Sequence, residues 1–166
     1  MNELRRTVLG IDRLSTGLAL ALACLAMTVA VAAGGWQVLT RFLLGQPSPW
    51  SEALVRLALI WATLLGLAGT VRQGALVSID VAHRLSGGLV RWALELLTLG
   101  ATALFMGVLV WYGWAMALRV QAQVMAGLEI SIAWGYAAIP IGAAFTVIGA
   151  FAHFLDRRSS ELEAAV

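Results

Sequence analysis

From Leu14 to Thr40 the chain carries no charged side chain, and the run ends only at Arg41. A helix crosses a bilayer core with about 20 predominantly apolar residues. It is also one of the two structures that leave no backbone group unpaired in lipid. Three more runs follow, from Leu57 to Val71, from Leu89 to Leu118 with Arg91 and Glu95 near its start, and from Ile130 to Leu155. Hydrophobic residues make up 61% of the 166 residues and charged ones 12%. Soluble domains sit near 45–50% apolar, so the class is an integral membrane protein. The tripeptide Ala30-Val31-Ala32 imitates a signal-peptidase site. A secretory apolar core is only about 7–15 residues long, however, so the first run is expected to be retained as a helix.

The stretch from Pro47 to Asp80 has marked ends. Ser48 before Pro49 reads as an N-cap followed by proline at the first helical position, where its missing N–H costs nothing. Glu52 falls in the first turn and precedes Arg56 by four residues, the favourable orientation for a helical ion pair. Trp50 and Arg72 then mark the two interfaces. Beyond them, Val77 to Leu85 mixes apolar residues with Ser78, Asp80, His83 and Arg84 before Ser86-Gly87-Gly88. This reads as a short interfacial helix, with an ordered loop as the alternative. The whole is an all-α single membrane domain with helices at roughly 14–43, 49–72, 89–118 and 130–155.

Every basic residue is an arginine. Arg5, Arg6, Arg13, Arg72, Arg84, Arg91, Arg157 and Arg158 would share one side, whereas Arg41 and Arg119 lie opposite, with Arg56 one turn inside the membrane. That bias places both termini in the cytoplasm. The net charge of +2 arises between apolar runs, which suits loops on anionic leaflets rather than a nucleic-acid footprint.

Catalysis has no visible home in this sequence. Lone Cys24 can form no intrachain disulfide. His83 and His153 both lie toward the arginine-rich side, where solvated or interface-bonded imidazoles are expected rather than haem or metal ligands. No H-E-x-x-H, glycine-rich phosphate loop or G-x-S-x-G elbow occurs. Charges within the spans cluster at helix ends, as Glu52 with Arg56 and Arg91 with Glu95, where they can pair and snorkel. The middle of each span holds Leu, Ala, Gly, Val and Thr, which offers no conducting route of its own. Small residues do recur at helical spacing: Ala58, Ala62, Gly66 and Thr70 in the second helix, and Ala138, Gly142, Thr146 and Ala150 in the fourth. Such stripes let backbones approach closely, within this chain or against another. No cofactor or metal is expected.

With these residues in place, the chain resembles the small membrane subunit of tripartite ATP-independent periplasmic (TRAP) transporters. The resemblance rests on Trp50-Ser51-Glu52, then Leu54 and Arg56, Trp61 and Gly66, and Arg72, Gly74 and Asp80. Ile139-Pro140-Ile141-Gly142 resembles that family's last helix. Ala53 stands where a second glutamate is common, and Leu76 where a histidine is common. The resemblance implies a scaffold and docking subunit in a bacterial inner membrane. Its partners would be a large permease subunit carrying the substrate and sodium sites, a periplasmic binding protein that delivers an organic anion, and membrane lipid, with no nucleic acid. Trp50, Ser51, Glu52, Arg56, Trp61, Gly66, Arg72, Gly74, Asp80, Pro140 and Gly142 are the assembly candidates. A small haem or quinone subunit and a self-contained exporter are the competing classes.

Overall fold

The computed structural model describes residues 2–46, 48–72 and 88–164. Four helices account for nearly all of them: α1 (Asn2–Leu43), α2 (Pro49–Arg72), α3 (Gly88–Arg119) and α4 (Ala133–Ala164). Each contains a segment long and apolar enough to cross a membrane. The expected interfacial helix, with Gly74, Asp80 and His83, lies outside the described residues.

Two helices depart from their expected bounds. α1 begins at Asn2 instead of near residue 14, because no proline interrupts the polar lead-in and helix formers continue through Arg13. Its 42 residues rise about 63 Å, twice the thickness of a hydrocarbon core. It stops at a glycine in the left-handed region. Gly45 takes a φ of 64°, and the Gln46 N–H reaches back to the Thr40 carbonyl at 3.3 Å. α4 begins at Ala133, three residues later than expected. The connector before it folds as a tight hairpin, joined by Met125 N–H to Ile130 O (2.8 Å) and Ile132 N–H to Gln123 O (2.9 Å). Ser131 then caps the helix, its hydroxyl oxygen accepting the Ala133 N–H at 3.2 Å.

The helices form a row rather than a closed bundle. α2 lies between α1 and α4, α4 lies between α2 and α3, and a smaller contact joins α1 to α4. α4 is accordingly the most buried span and α3 the least. α1 runs antiparallel to α2, with Gly34 facing Val55 and Gly69 facing Leu20. α2 and α4 run parallel, since Leu57 meets Gly135, Leu64 meets Gly142 and Ala68 meets Gly149. The core between them is small: Ala19, Ala23, Leu65 and Ala68, flanked by Trp61, Ile141 and Phe145. Large apolar side chains such as Leu104 and Trp111 point outward, as lipid-facing positions require.

Candidate functional site

At the arginine-rich end, three helices meet through polar side chains. Asp12 of α1 is buried, its side chain only 3% exposed, and its Oδ2 accepts a hydrogen bond from Arg72 Nε of α2 at 2.5 Å. Its Oδ1 accepts the Thr16 hydroxyl at 3.0 Å, and its backbone carbonyl accepts the Ser15 hydroxyl. His153 of α4 completes the group, with Nδ1 lying 3.0 Å from the Arg72 carbonyl oxygen. A carbonyl only accepts, so Nδ1 carries the proton. That carbonyl belongs to the last turn of α2. His153 thus bonds across the helix interface, from α4 to the last turn of α2.

The opposite end is built differently. Ser51 is fully buried, and its hydroxyl donates to the Ser48 carbonyl at 2.8 Å. Ser48 precedes the helix as expected, yet its own hydroxyl is buried with no partner among the described residues. The local polar closure comes from Ser51 instead. Glu52 and Arg56 form the expected i,i+4 pair at 3.1 Å, with side chains 61% and 69% exposed. The α3–α4 connector covers the start of α2: a Cβ on Gly127 would lie 2.6 Å from the Pro49 carbonyl oxygen. Gly127 also has a φ of 96°, so both backbone and space call for glycine there. Lower down, Trp61 Nε1 donates to the Trp134 carbonyl at 3.1 Å, tying α2 to the first turn of α4. Between these contacts lies a cleft of about 1000 Å³ with Glu52, Arg56 and Tyr136 among its polar lining and Leu59, Ile60 and Ile139 among its apolar walls. Trp50 is exposed.

The middle of the array separates the small-residue candidates. Gly142 sits where a Cβ would meet the Leu64 carbonyl oxygen and Cβ at 2.8 Å, and Gly113 leaves room for Ile139 and Pro140 at 3.0 Å. Pro140 and Gly142 thus pack inside this chain, as do the fully buried Ala138 and Thr146. The α2 stripe divides. Ala58 is buried and Ala62 half-buried, but Thr70 is exposed and a Cβ on Gly66 would meet nothing within 4 Å. The face of α2 that packs within the chain is offset from the stripe, through Leu65, Ala68 and Gly69.

Within the spans five threonine hydroxyls are occupied by their own helices. Thr28, Thr63, Thr98 and Thr146 each donate to the carbonyl four residues earlier, and Thr70 to the one three earlier. Such groups present no free donor to a solute. No group of three or more His, Cys, Asp or Glu able to hold a metal ion occurs among the described residues. Cys24 is exposed.

Residues 30–159 match the family model described as tripartite ATP-independent periplasmic transporters, DctQ component. The chain belongs to that family. It is also 31% identical over 112 residues to the sialic acid TRAP transporter small permease protein SiaQ of Vibrio cholerae. That match covers 68% of this chain, and the chain spans 65% of the length of the curated relative. Membership makes it a transporter component of the bacterial inner membrane with several membrane-spanning helices.

Every assembly candidate from Trp50 to Gly142 lies inside the matched DctQ region. Asp12 lies ahead of it, so the resemblance could not have pointed to this residue. The sequence signal available was modest: a carboxylate among arginines at the lip of the first span, four residues before Thr16. That it faces Arg72, sixty positions away, is a tertiary fact.

Proposed function

We propose that this chain is a non-conducting scaffold subunit. It would work with a large permease subunit that carries the substrate and coupling-ion sites, and with a periplasmic binding protein that delivers an organic anion. The observation that carries the reading is the state of the spans in a DctQ-family chain: one threonine hydroxyl in each helix, at Thr28, Thr63, Thr98 and Thr146, bonds to its own backbone. A solute or ion crossing a membrane needs polar groups that replace its hydration, and such groups are conspicuous near the midplane of carriers. Carboxylates are the favoured anion class; the sialic acid in the name of the Vibrio cholerae relative is one.

Both termini are assigned to the cytoplasm from the arginine bias. The meeting of Asp12, Arg72 and His153 at one end supports this, since it puts the starts and ends of alternate helices together. Reporter fusions after Gly45 and Gln123 are expected to read periplasmic, and a fusion after Val166 cytoplasmic. A periplasmic C-terminus would refute the orientation. For the function, whole-cell uptake of candidate organic acids is measured with the chain alone and with its two partners co-expressed. Uptake is expected only with all three. Accumulation by cells carrying this chain without a permease would overturn the scaffold reading.

A further inference from the structure

We propose that Asp12, Arg72 and His153 form a clasp that fixes the lateral arrangement of α1, α2 and α4 at the arginine-rich end of the array. The clasp joins two bonds that differ in kind. One is an ion pair between α1 and α2 with its carboxylate almost fully buried and held in orientation by Thr16. The other is the His153 Nδ1–H bond to the Arg72 carbonyl, which ties α4 to the last turn of α2. Arg72 is common to both, through its side chain to one neighbour and its backbone to the other. Its position therefore sets where α1 and α4 can lie.

Packing at this end gives reason for such a device. The core there is built from Ala19, Ala23, Leu65 and Ala68, mostly small residues that permit close approach but allow helices to slide past one another. Association in lipid has no hydrophobic driving force between helices, so register has to come from shape and from polar contacts. A buried ion pair is a poor source of net stability yet a strong register signal, because any slip leaves a buried carboxylate unpaired. One turn of slippage moves a side chain about 5.4 Å, which separates Asp12 from Arg72 beyond bonding range. Thr16 alone would then remain to Asp12. The clasp also needs the start of α1 and the end of α2 on the same membrane face, so it closes only around the correctly threaded hairpin.

The test is local disulfide formation in the whole chain, in membranes, with Cys24→Ala as background. One cysteine pair, Leu20→Cys with Gly69→Cys, lies about 12 Å along α1 from Asp12 and reports on the clasp end. A second pair, Gly34→Cys with Val55→Cys, lies about 33 Å away and reports on the far end. Asp12→Asn is expected to slow cross-linking of the near pair by about tenfold while the far pair stays within about twofold. Adding Arg72→Gln to Asp12→Asn is expected to slow it no further than Arg72→Gln does alone, the mark of two residues acting through one bond. His153→Leu should slow the near pair and His153→Gln, which keeps an N–H donor, should largely restore it. Unchanged cross-linking in Asp12→Asn, equal losses at both pairs, or Asp12 and Arg72 effects that multiply independently would each overturn the clasp.

Discussion

Two ion pairs sit at opposite ends of α2, and they differ in nearly everything except their chemistry. Glu52 and Arg56 lie one turn apart on the same helix, well exposed, at 3.1 Å. Asp12 and Arg72 come from different helices, and the carboxylate is almost fully enclosed. An exposed i,i+4 pair contributes about 0.3–0.5 kcal/mol. Removing one partner of a buried pair costs about 3–5 kcal/mol, because the remaining charge is stranded. The first pair neutralises a helix start and leaves its outer face available. The second ties helices together and leaves little for anything else to touch. A charge pair in a membrane protein thus speaks of partners or of packing according to its burial, not its residue types.

The largest effect should come from the enclosed pair. Asp12→Asn keeps the shape and the acceptor oxygen but removes the charge that Arg72 faces. With Arg72 still 23% exposed, the lower part of the buried-pair range applies, about 3 kcal/mol. For a chain of this length that lowers the melting temperature in detergent by about 6–12 °C. A shift no larger than that of Glu52→Gln would erase the contrast between the two ends.

Next come the glycines, which sharpen the comparison in the middle of the array. A Cβ at Gly142 meets the Leu64 backbone at 2.8 Å, and backbone cannot rotate away as a side-chain tip can. Gly142→Ala should therefore push α4 from α2 and cost about 1–3 kcal/mol, as overpacking does. Gly66→Ala meets nothing within 4 Å and should be neutral, or stabilising by up to about 1 kcal/mol through helix propensity. Thermal unfolding of the purified chain separates the two. If Gly66→Ala is harmless alone but loosens association with the permease subunit, the open half of the α2 stripe is a surface for that partner.

These contrasts mark how far the sequence can be read. The four spans were legible because charges interrupt the apolar runs at Arg41, Arg56, Arg72 and Arg119, and charge is expensive in lipid. The start of α2 was legible from Ser48 and Pro49, although the hydroxyl that closes it belongs to Ser51. Gly66 and Gly142 were not separable, since both occupy small-residue stripes of the same period. Only the parallel register of α2 on α4 decides which one faces a neighbour. The row of helices, in place of a closed bundle, was likewise invisible, because periodicity states which residues are small and not which helix comes to meet them. Asp12 shows the same limit for charge: a polar lead-in and a buried clasp have the same composition.

A smaller effect is expected at His153. Its Nδ1–H supplies one hydrogen bond to a helix-end carbonyl that is half-enclosed by α4. His153→Leu removes that bond and should cost about 1–2 kcal/mol, with His153→Gln costing less. Hydrogen exchange of the last turn of α2 is the direct readout, as the amides there should lose protection in His153→Leu and keep it in His153→Gln. Equal protection in both variants would mean that the carbonyl finds another donor, and the end of α2 would then be held through Arg72 alone.

The smallest effect on stability, and the most telling on assembly, belongs to Arg56. Its pairing with Glu52 is exposed, so Arg56→Ala and Glu52→Ala should each change folding by no more than about 0.5 kcal/mol. The same exposure leaves the guanidinium at the rim of the cleft between α2 and α4. If that rim receives a partner, a desolvated contact of Arg56 will be worth far more in the assembly than in the free chain. The measurement is uptake in cells co-expressing the three proteins, beside membrane abundance of each. A large loss of uptake in Arg56→Ala at normal abundance assigns Arg56 to a subunit interface. Unchanged uptake in both single variants confines the pair to the geometry of the helix start, and the two ends of α2 would then differ only in how strongly each is held.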